Sequence, residues 1–445
     1  MAKLNICLMN DSFPPMIDGV ANAVINYANV ITEQLGSATV VTPNYPDAVD
    51  DYAFPVVRYK SMPITEKWCG YRAGYPFSSS KLDELSNANF DIIHSHCPFA
   101  STIMGRALRE KTGAPIVLTY HTKFDIDIKR VIPNPLVAEA VVKFVVSNIE
   151  ACDEVWTVSQ GAKDNLRSLG YSGECIVMEN GVDFPRGRAD ADDVAALRAA
   201  YGLRDDIPVF LFVGRMLWYK GIRLILDSLR ILKSKGIEFR MIFVGDGADR
   251  AEIEAYAEEI GVMGECIFTG AVYDREDLRV YYTAGDLFLF PSLYDTNGIV
   301  VREAAACGVA SLLIEGSCAA EGITDKRTGI LTKDDAQAIS AELEFAASHL
   351  DEVRQLGENA MNEVYISWED SVKNAYKRYG VILENVRELK TQRVERFMQE
   401  EFFSAIDNIT NSIQQIRSLR DMPRNRALRA HHFAHKHSER SDRKK

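Results

Sequence analysis

Short apolar runs alternate along this chain with longer stretches whose apolar residues return every three or four positions. In the first half, runs at Leu4–Met9, Ala38–Thr42, Asp91–His94, Pro115–Tyr120, Glu154–Val158 and Cys175–Glu179 predict buried strands. Helical spacing lies between most of them, as in Val20–Leu35 and Ser101–Thr112. The pattern breaks at Asp183, where FPRGRADADD is polar and carries Pro and Gly, the mark of a linker. A second series follows at Pro208–Val213, Phe239–Val244, Cys266–Thr269, Asp286–Phe290 and Val309–Ile314. Ile222, Ile225, Leu229 and Leu232 recur at helical spacing, so a helix over Gly221–Lys235 should bury one face.

Strands alternating with helices predict an α/β protein of two Rossmann-like, doubly wound parallel-sheet domains facing a cleft. The expected division is a first domain over 1–183, a linker over 184–206, a second domain over 207–367, helices over 368–420 and a basic tail over 421–445. Whether the C-terminal helices return to the first domain or serve self-association stays open, as does oligomeric state.

Composition refines this picture in three ways. A chain of 445 residues exceeds one ordinary core, and 47% hydrophobic with 26% charged residues describes a soluble globular protein. The net charge of −12 argues against a nucleic-acid partner. The stretch from Arg424 to Lys445 is nonetheless net +6, leaving −18 for the rest; such a tail is either solvated or meets an anionic surface. The eight cysteines are scattered without a CxxC pair, and several sit in apolar contexts as small core residues, which suits a reducing, cytoplasmic location. No run approaches the ~20 apolar residues that span a bilayer. Any membrane contact should be peripheral, on the inner face of the cell membrane.

Candidate chemistry falls on the loops after strands. In FPSLYDTNGIVVREAAACG (Phe290–Gly308) a polar turn, Tyr294–Gly298, opens a helix that carries Glu303 on its second turn. Two readings fit. Asp295 or Asn297 merely caps the helix and Glu303 is solvated, or the two acids act on different parts of one ligand beside a helix N-terminus. The second describes a phosphate-bearing, hydroxyl-rich molecule such as a nucleotide-sugar. In FVGRMLWYKG, Arg215 leaves a strand and Lys220 precedes a helix, a pair suited to a diphosphate. A lysine at a helix N-terminus opposes the helix dipole, which favours a functional role over a surface charge. Gly245 and Gly247 in FVGDGADR would let a backbone approach a ligand, and Gly19 would do so at the first helix. His94, His96 and His121 invite a zinc reading, but their spacing supplies too few partners, and no metal is expected. The terminal His431, His432, His435 and His437 read as solvated.

Together, FPP…DGVANAV, VSQGAKDNL, NGVDF, FVGRMLWYKG, VGDG, FLFPSLYDTNGIVVREAAACGVA and AAEGITDKRTGIL resemble the successive motifs of the retaining glycosyltransferases of family four, over roughly Lys3 to Trp368. That resemblance implies the GT-B fold, with the active site in the cleft. It implies that Arg215 and Lys220 hold the donor diphosphate, that Glu303 accepts from the ribose hydroxyls, and that Asp295 touches the donor sugar. Thr296, Asn297, Gly298 and Ile299 complete the donor loop, Gly245 lines it, Gly19 approaches the diphosphate from the other domain, and His121 lies near the transferred sugar. His121, Arg215, Lys220 and Asp295 form the implied catalytic set, with no cofactor. Two departures stand out: the family usually has Glu where this chain has Asp295, and its Gly-Gly loop appears as Gly316–Glu321.

For the acceptor, Ile17–Val20 and Thr119–Thr122 look most like the branch that glucosylates diacylglycerol. The expected reaction is transfer of a hexose, first UDP-glucose, to a lipid. The aromatic Trp68–Tyr75 stretch would rest at a bilayer interface or pack as a loop, and Lys123, Lys129 and Arg130 would meet anionic headgroups. Alternatives are transfer to a soluble or polyprenyl-linked glycan, and a non-catalytic nucleotide-sugar-binding scaffold.

Overall fold

In the computed structural model, residues 3–16, 18–64, 71–293, 295 and 298–389 are described. Ile17, Trp68 and Cys69, Tyr294, Thr296, Asn297, the Arg130 side chain, the terminal histidines and the basic tail lie outside the described residues.

The first unit contains β1 (Asn5–Met9), α1 (Gly19–Val30), β2 (Ser37–Pro43), β3 (Val56–Tyr59), β4 (Ser61–Pro63), β5 (Arg72–Gly74), α2 (Ser79–Ser86) and β6 (Ile92–Ser95). It continues with α3 (Ala100–Thr112), β7 (Ile116–Tyr120), α4 (Phe124–Val131), α5 (Pro135–Glu150), β8 (Glu154–Thr157), α6 (Gln160–Ser168) and β9 (Cys175–Val177). Its parallel sheet runs β3-β2-β1-β6-β7-β8-β9, while β4 and β5 form a small antiparallel pair. The second unit contains α7 (Ala191–Ala200), β10 (Val209–Val213), α8 (Ile222–Ser234), β11 (Arg240–Val244), α9 (Arg250–Glu259), β12 (Cys266–Gly270), α10 (Arg275–Ala284) and β13 (Leu287–Phe290). After it come α11 (Ile299–Ala306), β14 (Ala310–Ile314), β15 (Gly329–Thr332), α12 (Ala336–Ser348), α13 (Leu350–Glu363) and α14 (Trp368–Leu389). Its six strands are also parallel, in the order β12-β11-β10-β13-β14-β15.

Both sheets reverse direction beside their first strand, between β1 and β6 and between β10 and β13. Such switch points open a crevice at the carboxyl ends of the strands, where ligands bind. The residues singled out from the sequence sit there: Gly19 after β1, His94 and His96 at the end of β6, Arg215 after β10 and Asp295 after β13.

Burial explains why these segments take these forms. On α8, Ile222, Ile225, Leu226, Leu229 and Leu232 are fully buried. Each contributes roughly 2 kcal/mol by leaving water, several times what helix propensity can separate between ordinary residues. The segment expected as a linker contains α7, which has no fully buried residue and lies against α10. The C-terminal helix α14 returns to the first unit. Trp368, Val372, Ala375, Tyr376, Tyr379 and Ile382 enter the core that also holds Ile6, Tyr27 and Trp156. Tyr376 OH accepts from Leu4 N at 2.6 Å, and Tyr379 stacks on Trp156 with centroids 5.4 Å apart.

Candidate active site

Beyond β10 the chain turns through Gly214 and exposed Arg215, whose Nη2 donates to Tyr219 OH at 2.9 Å. A single 3-10 turn, Trp218–Lys220, then leads into α8. Lys220 Nζ donates to Asp295 Oδ1 at 2.5 Å, and Asp295 Oδ2 accepts from Ser292 Oγ at 2.6 Å. The ammonium also lies over the Phe290 ring, 5.7 Å from its centroid. With side chains only 12% and 21% exposed, this pair is part of the crevice wall and not a solvated surface pair.

The capping alternative for Asp295 does not hold. Helix α11 follows Gly298, its N-cap residue, which lies in the left-handed region at φ 54°, and no side chain among the described residues caps it. The Asp295 carboxylate is committed to Lys220 and Ser292 instead. A Cβ on Gly298 would come within 2.9 Å of Ala319 Cβ, so the helix start abuts the 318–321 segment. Ile299, the first residue of α11, is exposed. The expectation for Gly245 changes as well. At φ 138°, a Cβ there would overlap the Gly214 carbonyl oxygen. The close approach that requires glycine is therefore made by the neighbouring loop, which carries Arg215. Asp249 braces the same loop, accepting from Trp218 N at 2.9 Å.

Glu303 is not solvated. It is 5% exposed, with Oε1 accepting from Arg275 Nη2 at 2.7 Å and Oε2 from Tyr282 OH at 2.9 Å. Burial raises its pKa, and the Arg275 guanidinium partly offsets that rise. Arg275 also pairs with Asp183 and lies over the Phe184 ring, 4.1 Å from the centroid. The neighbouring Arg302 donates to Glu179 Oε1 at 2.5 Å. Adjacent residues of α11 are thus tied to the segment joining the two units. Sequence reasoning missed Arg275, although the signal was present: like Lys220, it is a cation at a helix N-terminus, where the dipole opposes it.

In the first unit Asp18 caps α1, its Oδ1 accepting from Val20 N and Ala21 N at 2.9 and 2.7 Å, and its Oδ2 accepting from Tyr71 OH at 2.8 Å. Gly19 faces open space, with nothing within 4 Å of a notional Cβ, so no neighbour in the fold dictates glycine there. The three histidines form a buried row. His94 bonds Tyr379 OH at 2.6 Å and Thr119 Oγ1 at 2.7 Å, and His96 Nδ1 lies 2.9 Å from His121 Nε2. Burial lowers all three pKa values, that of His121 to about 4. The row is therefore neutral near pH 7, and its ring nitrogens are largely spent on one another and on hydroxyls. Among the described residues no group of three His, Cys, Asp or Glu is placed to hold a metal ion.

The two units meet beside these elements. Glu321 Oε2 and Oε1 accept from Gln160 N and Gly161 N, at 2.5 and 2.6 Å, capping α6 across the interface. Lys123 Nζ, two residues beyond His121, lies 3.7 Å from Cys318 Sγ. The His121 loop and the start of α11 thus flank the same 318–321 segment. Lys220 and Asp295 are in direct contact, Gly245 supports the Arg215 loop, and Gly19 stands free at the facing switch point.

Comparison with known proteins agrees with the two-unit fold. Residues 17–186 match the family model "Glycosyltransferase Family 4", and residues 193–363 match "Glycosyl transferases group 1". The chain is 23% identical over 379 residues to an alpha-monoglucosyldiacylglycerol synthase of Streptococcus pneumoniae, covering 84% of each chain. It is 26% identical over 338 residues to a GDP-mannose-dependent alpha-mannosyltransferase of Mycobacterium tuberculosis, covering 74% of this chain and 84% of that protein. The structure of Anabaena HepE in complex with UDP and glucose superposes with a TM-score of 0.65 at 16% identity, over 85% of this chain and all of that one. At that identity the likeness is one of fold.

Proposed function

The chain belongs to the family-four glycosyltransferases, with the GT-B fold, and on that footing we propose that it moves glucose from UDP-glucose to a lipid acceptor such as diacylglycerol, with retention of configuration. The observation carrying the donor reading is the Lys220–Asp295 pair beside the start of α11. An ammonium has three N–H donors, and Asp295 takes one in the resting site, so Lys220 can bind phosphate oxygens without releasing its partner. Arg215 adds a planar fork for the same diphosphate. As the sugar–phosphate bond breaks, negative charge builds on the leaving diphosphate. Lys220, Arg215 and the N–H groups at Gly298 and Ile299 would stabilise it. These cations supply the electrostatics a divalent ion would otherwise give, so transfer should survive chelation.

Glu303 fills the nucleotide end. A carboxylate offers about four acceptor sites, and Arg275 and Tyr282 occupy two, leaving capacity for the ribose hydroxyls. Asp295, held by Lys220 and Ser292, faces the donor sugar, and its shorter reach than Glu is where sugar preference is set. His121 approaches the transferred sugar from the first unit. The transition state is ion-pair-like on one face of the sugar.

Support for a lipid acceptor comes from the names of two relatives, the Streptococcus pneumoniae protein and a second alpha-monoglucosyldiacylglycerol synthase, from Acholeplasma laidlawii, at 22% identity over 364 residues. On this chain, Ile126 and Lys129 are exposed on α4, Lys129 pairing with Asp125, and Leu136 is exposed on α5, features suited to an anionic bilayer surface. No helix among the described residues is long and apolar enough to cross a membrane. A soluble or polyprenyl-linked glycan is the alternative acceptor. A thermal-shift screen of UDP- and GDP-sugars tests the donor, because a ligand bound to the folded state raises Tm. Flotation with anionic vesicles tests the acceptor surface. Stabilisation by GDP-mannose alone, or absence from the vesicle fraction, would overturn the respective half.

A further inference from the structure

One fully buried nitrogen of the histidine row is unmatched among the described residues. His96 is buried, its Nδ1 shares a hydrogen bond with His121 Nε2, and its Nε2 has no partner among the described residues. Its other neighbours are rings: His94 with centroids 4.0 Å away, and Tyr27 at an edge, 5.1 Å away. The proton in the His96–His121 bond has two possible owners. If His121 donates, His96 must carry its own hydrogen on Nε2, facing at best a π face, a much weaker acceptor than a ring nitrogen. If His96 donates, its Nε2 is left as a bare lone pair. Buried N–H groups without a partner are rarer than under-satisfied acceptors, which favours the second arrangement. It also fixes His121: with Nε2 accepting, the ring hydrogen sits on Nδ1, and no described residue bonds that atom.

We infer that His96 is the positioning residue for His121, donating its Nδ1–H to His121 Nε2 so that His121 presents an Nδ1–H donor to the crevice. This rests on the reading that His121 faces the transferred sugar. The donor would bond a hydroxyl of that sugar or the acceptor oxygen beside it. The role needs a ring or amide N–H at position 96, in addition to bulk. His94 acts differently, because both its nitrogens are matched and through Tyr379 it ties the row to α14.

Long-range nitrogen–hydrogen correlation spectra of histidine-labelled full-length protein at neutral pH test this directly. The expected pattern places the hydrogen on Nδ1 of both His96 and His121. A hydrogen on Nε2 of His121 overturns the inference whatever the enzyme's substrate. Kinetics add a second readout, as UDP released from UDP-glucose with diacylglycerol vesicles. His96→Leu should lower kcat about tenfold, the worth of one hydrogen bond, with little change in donor KM. His96→Asn, whose amide can replace the Nδ1–H, should restore most of it. In a His121→Ala background His96→Leu should cost nothing further. Wild-type turnover by His121→Ala would sink the underlying role of His121. A slow His121→Ala beside fully active His96→Leu would sink only the inference about His96.

Discussion

Replacing Arg275 with Met keeps much of the aliphatic stem while removing the guanidinium that faces Glu303. Glu303 would then lie almost fully buried with only the Tyr282 hydroxyl as partner. Breaking a fully buried ion pair by deleting one partner costs about 3–5 kcal/mol. Arg275 is 42% exposed, so water can reach the vacated side, and about 1–3 kcal/mol is the better expectation. The cost depends on pH. Burial already holds the Glu303 pKa above the ordinary 4.5, and Arg275 is the main force opposing the rise. Without Arg275 the folded-state value climbs further while the unfolded-state value stays put. A group whose folded pKa is raised is at its most favourable below the unfolded value and loses stability as pH rises through the folded one. The deficit of Arg275→Met should therefore be small near pH 5 and fullest near pH 8, read as the urea midpoint at both. Adding Glu303→Gln should abolish that dependence. The same variant should bind UDP more weakly at neutral pH, since losing Arg275 shifts Glu303 toward its protonated form, which has less acceptor capacity. Wild-type midpoints at both pH values, or a larger deficit in acid, would refute the account of Glu303 as a buried carboxylate kept charged by Arg275.

Three further outcomes follow from the geometry. Lys220→Ala should leave a folded protein whose transfer rate drops by roughly 10²–10³, the range for losing one preorganised charge-stabilising group; a wild-type rate would remove Lys220 from the site. Glu321→Ala should cost about 1 kcal/mol, as a lost helix cap does, and hydrogen exchange at the Gln160 and Gly161 amides should quicken while α1 is unaffected. His121 is held neutral chiefly by burial, with Asp18 favouring its charged form and the neutral His96 bonded to it, and its folded pKa of about 4 lies below the ordinary 6.5. The unfolded chain gains a proton first as pH falls, so roughly 3 kcal/mol should be lost through His121 between those values, and His121→Gln should remove that share in acid titrations followed by circular dichroism, leaving the loss due to buried His94 and His96.

Legibility in the sequence followed the strength of the local signal. The apolar runs gave the eleven expected strands to within two residues, and most of them lie inside the sheets, where burial of both faces leaves a continuous apolar stretch; β9 and β12, at the edges, are only partly buried. The strands that escaped, β3, β4, β5 and β15, are three or four residues long and lie at an edge or in the small hairpin. Helix α7 was hidden because it buries no residue fully and so carries no apolar stripe. In the site, Lys220 was legible as a charge in the wrong place on its helix. Arg275 carries the same mark, but its partners Asp183 and Glu303 are 92 and 28 positions away. The Glu321 cap on α6 is likewise invisible to local reasoning, because it joins loops of different domains. Ion pairs across the fold are set by topology, which the chain specifies only after its sheets have formed.

The central claim is that this crevice activates a nucleotide-sugar for transfer with retention. The most direct test is to incubate the full chain with UDP-glucose and diacylglycerol-bearing anionic vesicles and to read the anomeric configuration of the glycolipid by proton NMR. The account predicts an α-glucosyl lipid formed together with UDP. A β-linked product would contradict retention, and UDP-glucose left intact would contradict the assignment of donor and acceptor together.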